Sequence, residues 1–334
     1  MDSRKLRWGI LSTANIGRAE VIPAIQSSKN GFVAAVASRD AQKGAEFASR
    51  LGIPKSYGSY EALLADPDID AVYIPLPNSM HYEWTIKAAQ AGKHILCEKP
   101  LALTAVQCLE MDAAAKECGV QLMEAFMYRF HPRTEKMIEL VHAGDVGPLR
   151  MIQSSFTFKL TRPENIRLNS DLGGGSLMDV GCYSINISRT LASEEPEAVQ
   201  ATAVWASTGV DEQMAGSLRF SNGLTAQFDS ALTLARRESC IAAGTDGYFD
   251  VPKAFRPENE GSTFYKYQDG KETKYQFSRC DEYQVMVEHF SECVLEHKSL
   301  RYSAVEAAAN MRVIESLYRS SRNGGTWQPV LPLE

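Results

Sequence analysis

His94-Ile95-Leu96-Cys97-Glu98-Lys99-Pro100 runs an apolar, strand-like segment into a carboxylate, an amine and a proline, and a helix signal follows at Thr104. A short buried strand with charged groups at its C-terminal end marks the ligand crevice of an open α/β sheet. A partly desolvated lysine there can have its pKa drawn toward neutrality and exchange a proton with a substrate hydroxyl. Pro100 fixes the backbone just after the lysine, and X-Pro is where cis peptide bonds occur. By itself the trio also describes a solvated loop ahead of a helix. The flanking sequence decides for a crevice.

Upstream, Leu6–Leu11 reads as a first strand and Ser12-Thr13-Ala14-Asn15-Ile16-Gly17 as the turn into a helix reaching about Ser27. A dinucleotide fold asks here for G-x-G-x-x-G, so that backbone amides at a helix N-terminus face a pyrophosphate. This chain has S-x-A-x-x-G, and Ser12 and Ala14 are small enough to keep that approach open. Phe32–Ala37 is a near-continuous apolar run, as a strand covered on both faces requires. It ends in Ser38-Arg39-Asp40. An NAD-specific site ends this strand in an acid for the ribose 2′-OH. A hydroxyl and a guanidinium, with Lys43 one helical turn on, suit a 2′-phosphate instead. Asp40 reads as the N-cap of the next helix. The expected cofactor is NADP.

Helices over Ala41–Leu51 and Tyr60–Ala65 flank a short strand at Tyr57. The strand Asp70–Leu76 is stopped by prolines, which leaves Asn78 and His81 at its C-terminal edge. His81 there is either structural or a cofactor contact. Helices from Glu83 to Ala91 and from Thr104 to Cys118, each ended by a glycine, enclose the Glu98-Lys99-Pro100 strand, and Val120–Met123 follows. This β-α-β-α alternation predicts an α/β fold: an N-terminal Rossmann domain over residues 1–127, with a doubly wound parallel sheet.

Glu124–Pro132 reads as an aromatic and charged crossing to a second domain, 128–334, with Tyr128, Arg129, Phe126 and Phe130 as cleft lining or packing. Pro132 suits the first turn of a helix reaching about His142. From Leu149 the texture turns β-rich, over Leu149–Phe158, Ala198–Ser207, Met214–Phe220, Leu224–Ser230, Arg237–Ala243 and Phe264–Tyr267. Ser221-Asn222-Gly223 reads as a hairpin turn. The domain is expected to be α+β, its sheet largely antiparallel and open-faced, closed by helices over Glu282–Glu296 and Ala304–Arg322. Val204, Leu218 and Phe228 on the free face predict a homodimer or larger assembly. One helix interrupts the sheet early: Gly173-Gly174-Gly175 opens a segment that puts Asp179 and Tyr183 at i and i+4, on one face. A carboxylate and a phenol so placed suggest a site, or a buried tyrosine bonded to an aspartate.

Composition sets the outer bounds. The 334 residues exceed one typical domain, and 44% hydrophobic with 23% charged residues is ordinary for a globular protein. A formal net charge of −6 argues against non-specific nucleic-acid binding. The seven cysteines contain no C-x-x-C pair, so neither a disulfide framework nor a metal site is expected. No run is long enough to cross a membrane, and the first residues show no apolar leader. A cytoplasmic location follows as the expectation.

With these motifs in hand, the sequence resembles the Gfo/Idh/MocA oxidoreductases, through Glu98-Lys99-Pro100, Leu76-Pro77-Asn78-Ser79-Met80-His81 and the Gly173–Tyr183 helix. It is most similar to the branch of dihydrodiol dehydrogenases, NADP-dependent D-xylose dehydrogenases and glucose–fructose oxidoreductases. Tyr183 stands where inositol dehydrogenases of the family carry histidine. The resemblance implies hydride transfer between NADP and a sugar or cyclic polyol. It places Lys99 and Tyr183 beside nicotinamide and substrate, with Asp179 orienting them. It implies cofactor contacts from Ser12–Ile16, Ser38, Arg39, Lys43, Leu76, Asn78, His81, Glu98 and Lys99. It implies substrate contacts from Tyr128, Arg129, Phe158, Arg167, Asp179 and Tyr183. Either Lys99 or Tyr183 is the acid/base, with Tyr183 as relay and Lys99 tuning it preferred. A nucleotide-sugar ketoreductase and a non-catalytic NADP-binding protein are the alternatives.

Overall fold

The computed structural model describes residues 4–162, 164–257 and 261–332; Met1–Ser3, in the stretch read as leaderless, lie outside them. By contacts the chain divides into two units. One holds the chain up to Phe130 together with Asp281–Ala308; the other holds His131–Cys280 and the chain from Ala309 on.

The first unit is built on six strands, β1 (Leu6–Leu11), β2 (Gly31–Ala37), β3 (Lys55–Tyr57), β4 (Ala71–Ile74), β5 (His94–Glu98) and β6 (Leu122–Ala125). They pair in the order β3-β2-β1-β4-β5-β6, all parallel. That order reverses direction between β1 and β4, which is the switch point where doubly wound sheets bind ligands. Strands β1, β2, β4 and β5 are almost wholly buried, as sheets covered on both faces demand.

The helices are α1 (Ile22–Ser27), α2 (Ala41–Leu51), α3 (Tyr60–Leu64), α4 (Asn78–Gln90) and α5 (Ala105–Glu117). A π turn, Gly17–Val21, leads into α1. Asp40 caps α2 as expected, accepting from Lys43 N at 3.0 Å. Ser59 and Thr104 cap α3 and α5 in the same way. The helix α4 starts five residues before the expected Glu83, directly after Pro77. A proline just ahead of the first helical residue is compatible with helix entry, and Asn78 and His81 therefore lie on a helix and not on a strand edge.

In the second unit α6 (Pro132–His142) precedes β7 (Leu149–Lys159), and α7 (Cys182–Ala192) precedes a run of strands. These are β8 (Ala198–Trp205), β9 (Asp211–Arg219), β10 (Thr225–Ala231), β11 (Thr233–Gly244), β12 (Gly247–Pro252), β13 (Ser262–Gln268), β14 (Lys271–Phe277) and β15 (Gln328–Pro329). The nine-stranded sheet runs β14-β13-β12-β11-β7-β10-β9-β8-β15, antiparallel except for the β7–β10 pair. Three strands are not evident in the sequence: β12, which lies between turn residues Gly247 and Pro252, β14, which carries Lys271, Glu272 and Lys274, and the two-residue β15. Asn222-Gly223 forms the expected turn between β9 and β10, with Gly223 at φ 83°.

The last two helices are α8 (Glu282–Leu295) and α9 (Ala304–Arg322), which the expected division at 127/128 assigns to the second domain. Segment Asp281–Ala308 returns to the first unit, where Phe290 packs on Trp8 with centroids 5.2 Å apart. Asn30 and Gln284 tie α8 to the end of α1 and the loop after it through backbone carbonyls. The reading of the free sheet face also changes. Leu218 and Phe228 are buried on the covered face, and only Val204, 50% exposed, stands on the outer one. Strand alternation decides this: Phe228 pairs with Gly216, two residues from buried Met214 and Leu218, all on one face.

Candidate active site

Because the first sheet is parallel, the ends of β1, β2, β4 and β5 meet at one edge. After β1 the chain turns at Ser12, whose φ of 154° is a conformation glycine adopts freely and L side chains rarely do. Serine thus occupies the first fingerprint position in a glycine-like backbone. The helix then starts at Asn15, with Arg18 N bonded to Ala14 O at 3.1 Å, so the Ser12–Ala14 loop leads directly to a helix N-terminus. Gly17 stands over Tyr73 and Pro75, both 3.8 Å from where its Cβ would be. Unpaired amides at this helix start suit a pyrophosphate.

At the end of β2, Ser38 is buried and its Oγ accepts from Asp40 N at 3.2 Å. Arg39 and Lys43 are exposed. Burial pushes the Tyr60 phenol's pKa up, and the nearby charge of Arg39 opposes the rise. Tyr60 in turn packs edge-on against Trp84, centroids 4.8 Å apart. These residues fit a dinucleotide bearing a 2′-phosphate, since two exposed cations follow the strand and the carboxylate between them, Asp40, is engaged in capping α2.

The Glu98-Lys99-Pro100 turn closes β5, and its Lys99–Pro100 bond is cis. Three other elements hold it. From β4, buried Tyr73 donates to Glu98 Oε1 at 2.6 Å, and burial, then Glu98, push its pKa well above the usual phenol value. From β6, the buried Glu124 carboxylate accepts from Leu101 N at 2.8 Å. From α4, His81 sets one ring nitrogen 2.9 Å from Pro100 O and the other 2.9 Å from Leu76 O. His81 is fully buried, and burial lowers its pKa, with the charge of Lys99 adding to that. The expectation of His81 as a cofactor contact gives way: both ring nitrogens are committed to backbone, one of them on the lysine turn. Leu76 is likewise buried, whereas Asn78, Glu98 and Lys99 keep partial exposure.

Arg129 is not an open cleft residue either. It is buried, bonded to Glu306 at 2.5 Å and stacked 3.4 Å over the Tyr302 ring. Burial opposes its charge, but Glu306 and the two tyrosines Tyr128 and Tyr302 leave its pKa raised. Tyr128 is also buried, edge-on to Phe126.

In the second unit Asp179 lies in a π turn, Leu177–Gly181, that opens α7, and Tyr183 follows on the helix itself. Widened turns of this kind concentrate at functional sites. Arg167 Nε donates to Asp179 Oδ2 at 2.5 Å and its guanidinium lies 5.8 Å from the Phe158 ring centre. The glycine run makes this possible: Gly175 N bonds Arg167 O at 2.9 Å, and a Cβ on Gly174 would overlap that carbonyl. Tyr183 is buried in an aromatic box, 5.3 Å from Phe156 and 5.4 Å from Phe255. The second unit therefore brings Phe158, Arg167, Asp179 and Tyr183 onto adjoining supports. Tyr73, Glu124, Phe156, Phe255 and Asp211 of the α7 support escape sequence reading, because their partners are distant in the chain.

Residues 6–126 match the profile described as the oxidoreductase family, NAD-binding Rossmann fold, and residues 134–250 that of the GFO/IDH/MocA C-terminal domain. The chain belongs to the Gfo/Idh/MocA oxidoreductase family. Among its relatives, D-xylose 1-dehydrogenase (NADP(+)) 2 of Haloferax volcanii is 40% identical over 96% of this chain and 98% of its own. A trans-1,2-dihydrobenzene-1,2-diol dehydrogenase of Xenopus laevis is 34% identical, covering 93% of this chain and 95% of its own. The crystal structure of an aldose-aldose oxidoreductase from Caulobacter crescentus, complexed with glycerol, superposes with a TM-score of 0.90 at 31% identity, over 98% of this chain and all of that one. The two-unit Gfo/Idh/MocA fold thus spans the whole chain. Among the described residues no helix is long and apolar enough to cross a membrane.

Proposed function

We infer that this chain is an NADP-dependent oxidoreductase that moves hydride between the nicotinamide and a sugar or cyclic polyol, of the aldose or dihydrodiol dehydrogenase type. The observation that carries this reading is the end of β2, where exposed Arg39 follows Ser38 with Lys43 one turn on. An NAD site would carry its carboxylate there. The relatives whose names specify NADP or aldoses point the same way.

Bound NADP supplies the hydride acceptor or donor. The chain's own residues bind and move the proton. The Ser12–Ile16 turn would cradle the pyrophosphate with backbone amides, and Ser38, Arg39 and Lys43 would hold the 2′-phosphate, the two cations with charge-assisted bonds. Asn78 and Glu98 would contact the cofactor as well. Tyr183 relays the substrate hydroxyl proton, and the cation of Lys99 favours its phenolate. Asp179, paired to Arg167, fixes the substrate, with Phe158 as an apolar face for it.

The test is turnover with a panel of aldoses and cyclic diols, supplied with NADP+ and with NAD+. Reduction of NADP+ by at least one is expected. Arg39→Asp should weaken NADP roughly tenfold or more relative to NAD, as loss of a bond to a charged group does. Tighter binding of NAD than NADP by the wild type would overturn the assignment. A sugar 3-ketoreductase reading has its own support: KijD10, a 3-ketoreductase from Actinomadura kijaniata solved with NADP and TDP-benzene, superposes with a TM-score of 0.90 at 27% identity. Micromolar binding of a dTDP-sugar would favour it.

The same inference extends to a cytoplasmic homodimer or larger assembly joined through the outer face of the nine-stranded sheet. That face carries exposed Val204 and Tyr248, and a groove of about 600 Å³ lined by Gln153, Gln200, Thr202, Ser217, Gln227 and Ser239. None of the seven cysteines forms a disulfide, which suits a reducing compartment. A monomer mass at micromolar concentration would contradict the assembly, and recovery from an oxidising compartment on cell fractionation would contradict the location.

A further inference from the structure

The helix that carries Asp179 and Tyr183 has no cap of its own. It opens on Gly173-Gly174-Gly175-Ser176, and Ser176 makes no side-chain bond to the first turn. A carboxylate from β9 takes that place. Asp211 Oδ2 accepts from Leu177 N and from Ser176 Oγ, each at 2.7 Å, and its Oδ1 accepts from the Tyr318 hydroxyl at 2.7 Å. Asp211 is fully buried. Its negative charge thus sits at the Leu177 amide of a helix start, where the helix dipole favours it.

The surrounding backbone is shaped to admit it. Gly175 holds φ at 120°, and a Cβ there would overlap Asp211 Oδ1, so both the conformation and the space require glycine. Ser176 Oγ also reaches Ser230 Oγ at 3.0 Å, which ties the same point to β10. Asp179 N is bonded to Gly175 O at 3.0 Å, and Cys182 N to Leu177 O across the widened turn. The first amide of that turn, Leu177 N, is the one Asp211 holds, and Asp179 and Tyr183 follow it on the same continuous backbone.

We propose that Asp211 is a positioning residue of the reaction: it sets the start of the π turn, and through it the placement of Asp179 and Tyr183. The inference rests on the reading of Tyr183 as proton relay, and the experiment separates the two. Asp211→Ala, Asp211→Asn, Tyr318→Phe and Tyr183→Phe are compared for kcat, sugar KM, NADP Kd and melting temperature.

Asp211→Ala should lower kcat of the folded protein roughly tenfold to a hundredfold, the cost of displacing a reacting group by about an ångström, with NADP Kd unchanged. Asp211→Asn keeps an acceptor for Leu177 N and an amide for the Tyr318 oxygen, and should recover most of that loss. A residue that only stabilises the fold would lower the melting temperature and leave kcat per folded molecule intact; that result overturns the proposal. If Asp211→Ala does not fold, a lowered kcat at unchanged NADP Kd in Tyr318→Phe, which removes one of the carboxylate's donors, supports it, and wild-type kcat in Tyr318→Phe contradicts it. Wild-type turnover in Tyr183→Phe removes the relay reading itself. An inactive Tyr183→Phe beside fully active Asp211 variants removes only the positioning role.

Discussion

In the first unit the lysine turn is held by side chains of three separate elements, Tyr73, His81 and Glu124, each bonded to a different point between Glu98 and Leu101. In the second unit the start of the tyrosine helix is held by one carboxylate, Asp211, and by glycines that let it approach. The first arrangement spreads the constraint, so the loss of one partner leaves two. The second concentrates it on a buried charge whose removal leaves an amide and two hydroxyls without that partner. Burial raises the pKa of Asp211 while its three donors oppose the rise, which shows how far that carboxylate depends on them.

The largest effects expected fall on the groups that handle the proton. Tyr183→Phe and Lys99→Ala should each cut turnover roughly a hundredfold or more, as loss of an acid/base does, while NADP binding stays near wild type. Full activity in either, on a verified substrate, would remove that residue from the reaction. A smaller effect tests the comparison itself. Glu124→Ala leaves the buried Leu101 amide unpaired and should cost about 1–3 kcal/mol of stability in denaturant melts, with Glu124→Gln restoring most of it. Because Tyr73 and His81 remain, kcat of folded Glu124→Ala should fall less than that of Asp211→Ala. The reverse order would break the contrast between shared and concentrated support.

The smallest effect concerns the second unit alone. His131 caps α6 by accepting from Arg133 N at 3.0 Å, and burial, reinforced by Arg133, brings its pKa down to about 4. In the unfolded chain histidine titrates near 6.5. Between those values the unfolded state binds the extra proton, so His131's contribution is complete above about 6.5 and is lost as pH falls toward about 4. His131→Asn keeps a capping acceptor and should flatten the fall in melting temperature over that window. An unchanged slope would show that other groups set it.

Much of this was legible in the sequence, and the boundary between legible and hidden has a physical cause. The parallel sheet follows from the β-α alternation, and Asp40 and Thr104 announce their helices because a cap bonds a residue only three positions away. Ser38-Arg39 and Glu98-Lys99-Pro100 stand out in the sequence because polar and charged groups end or directly follow buried strands there. Asp211 announces nothing. Its partners Leu177 and Tyr318 are distant in sequence on opposite sides, and no periodicity connects them. His81 misleads for a related reason: Pro77 reads as the end of a strand, while it also opens a helix that turns the ring inward. The return of Asp281–Ala308 to the first unit is hidden in the same way, since an amphipathic helix does not state which core it covers.

We propose that Lys99 and Tyr183 serve one proton transfer. A double-mutant cycle tests it most directly, with turnover measured for wild type, Lys99→Ala, Tyr183→Phe and the pair together. Residues acting as one unit give losses that do not multiply, so the double mutant should be about as slow as the slower single one. A double mutant slower by the product of the two single losses would mean that Lys99 and Tyr183 act independently, and would contradict the account.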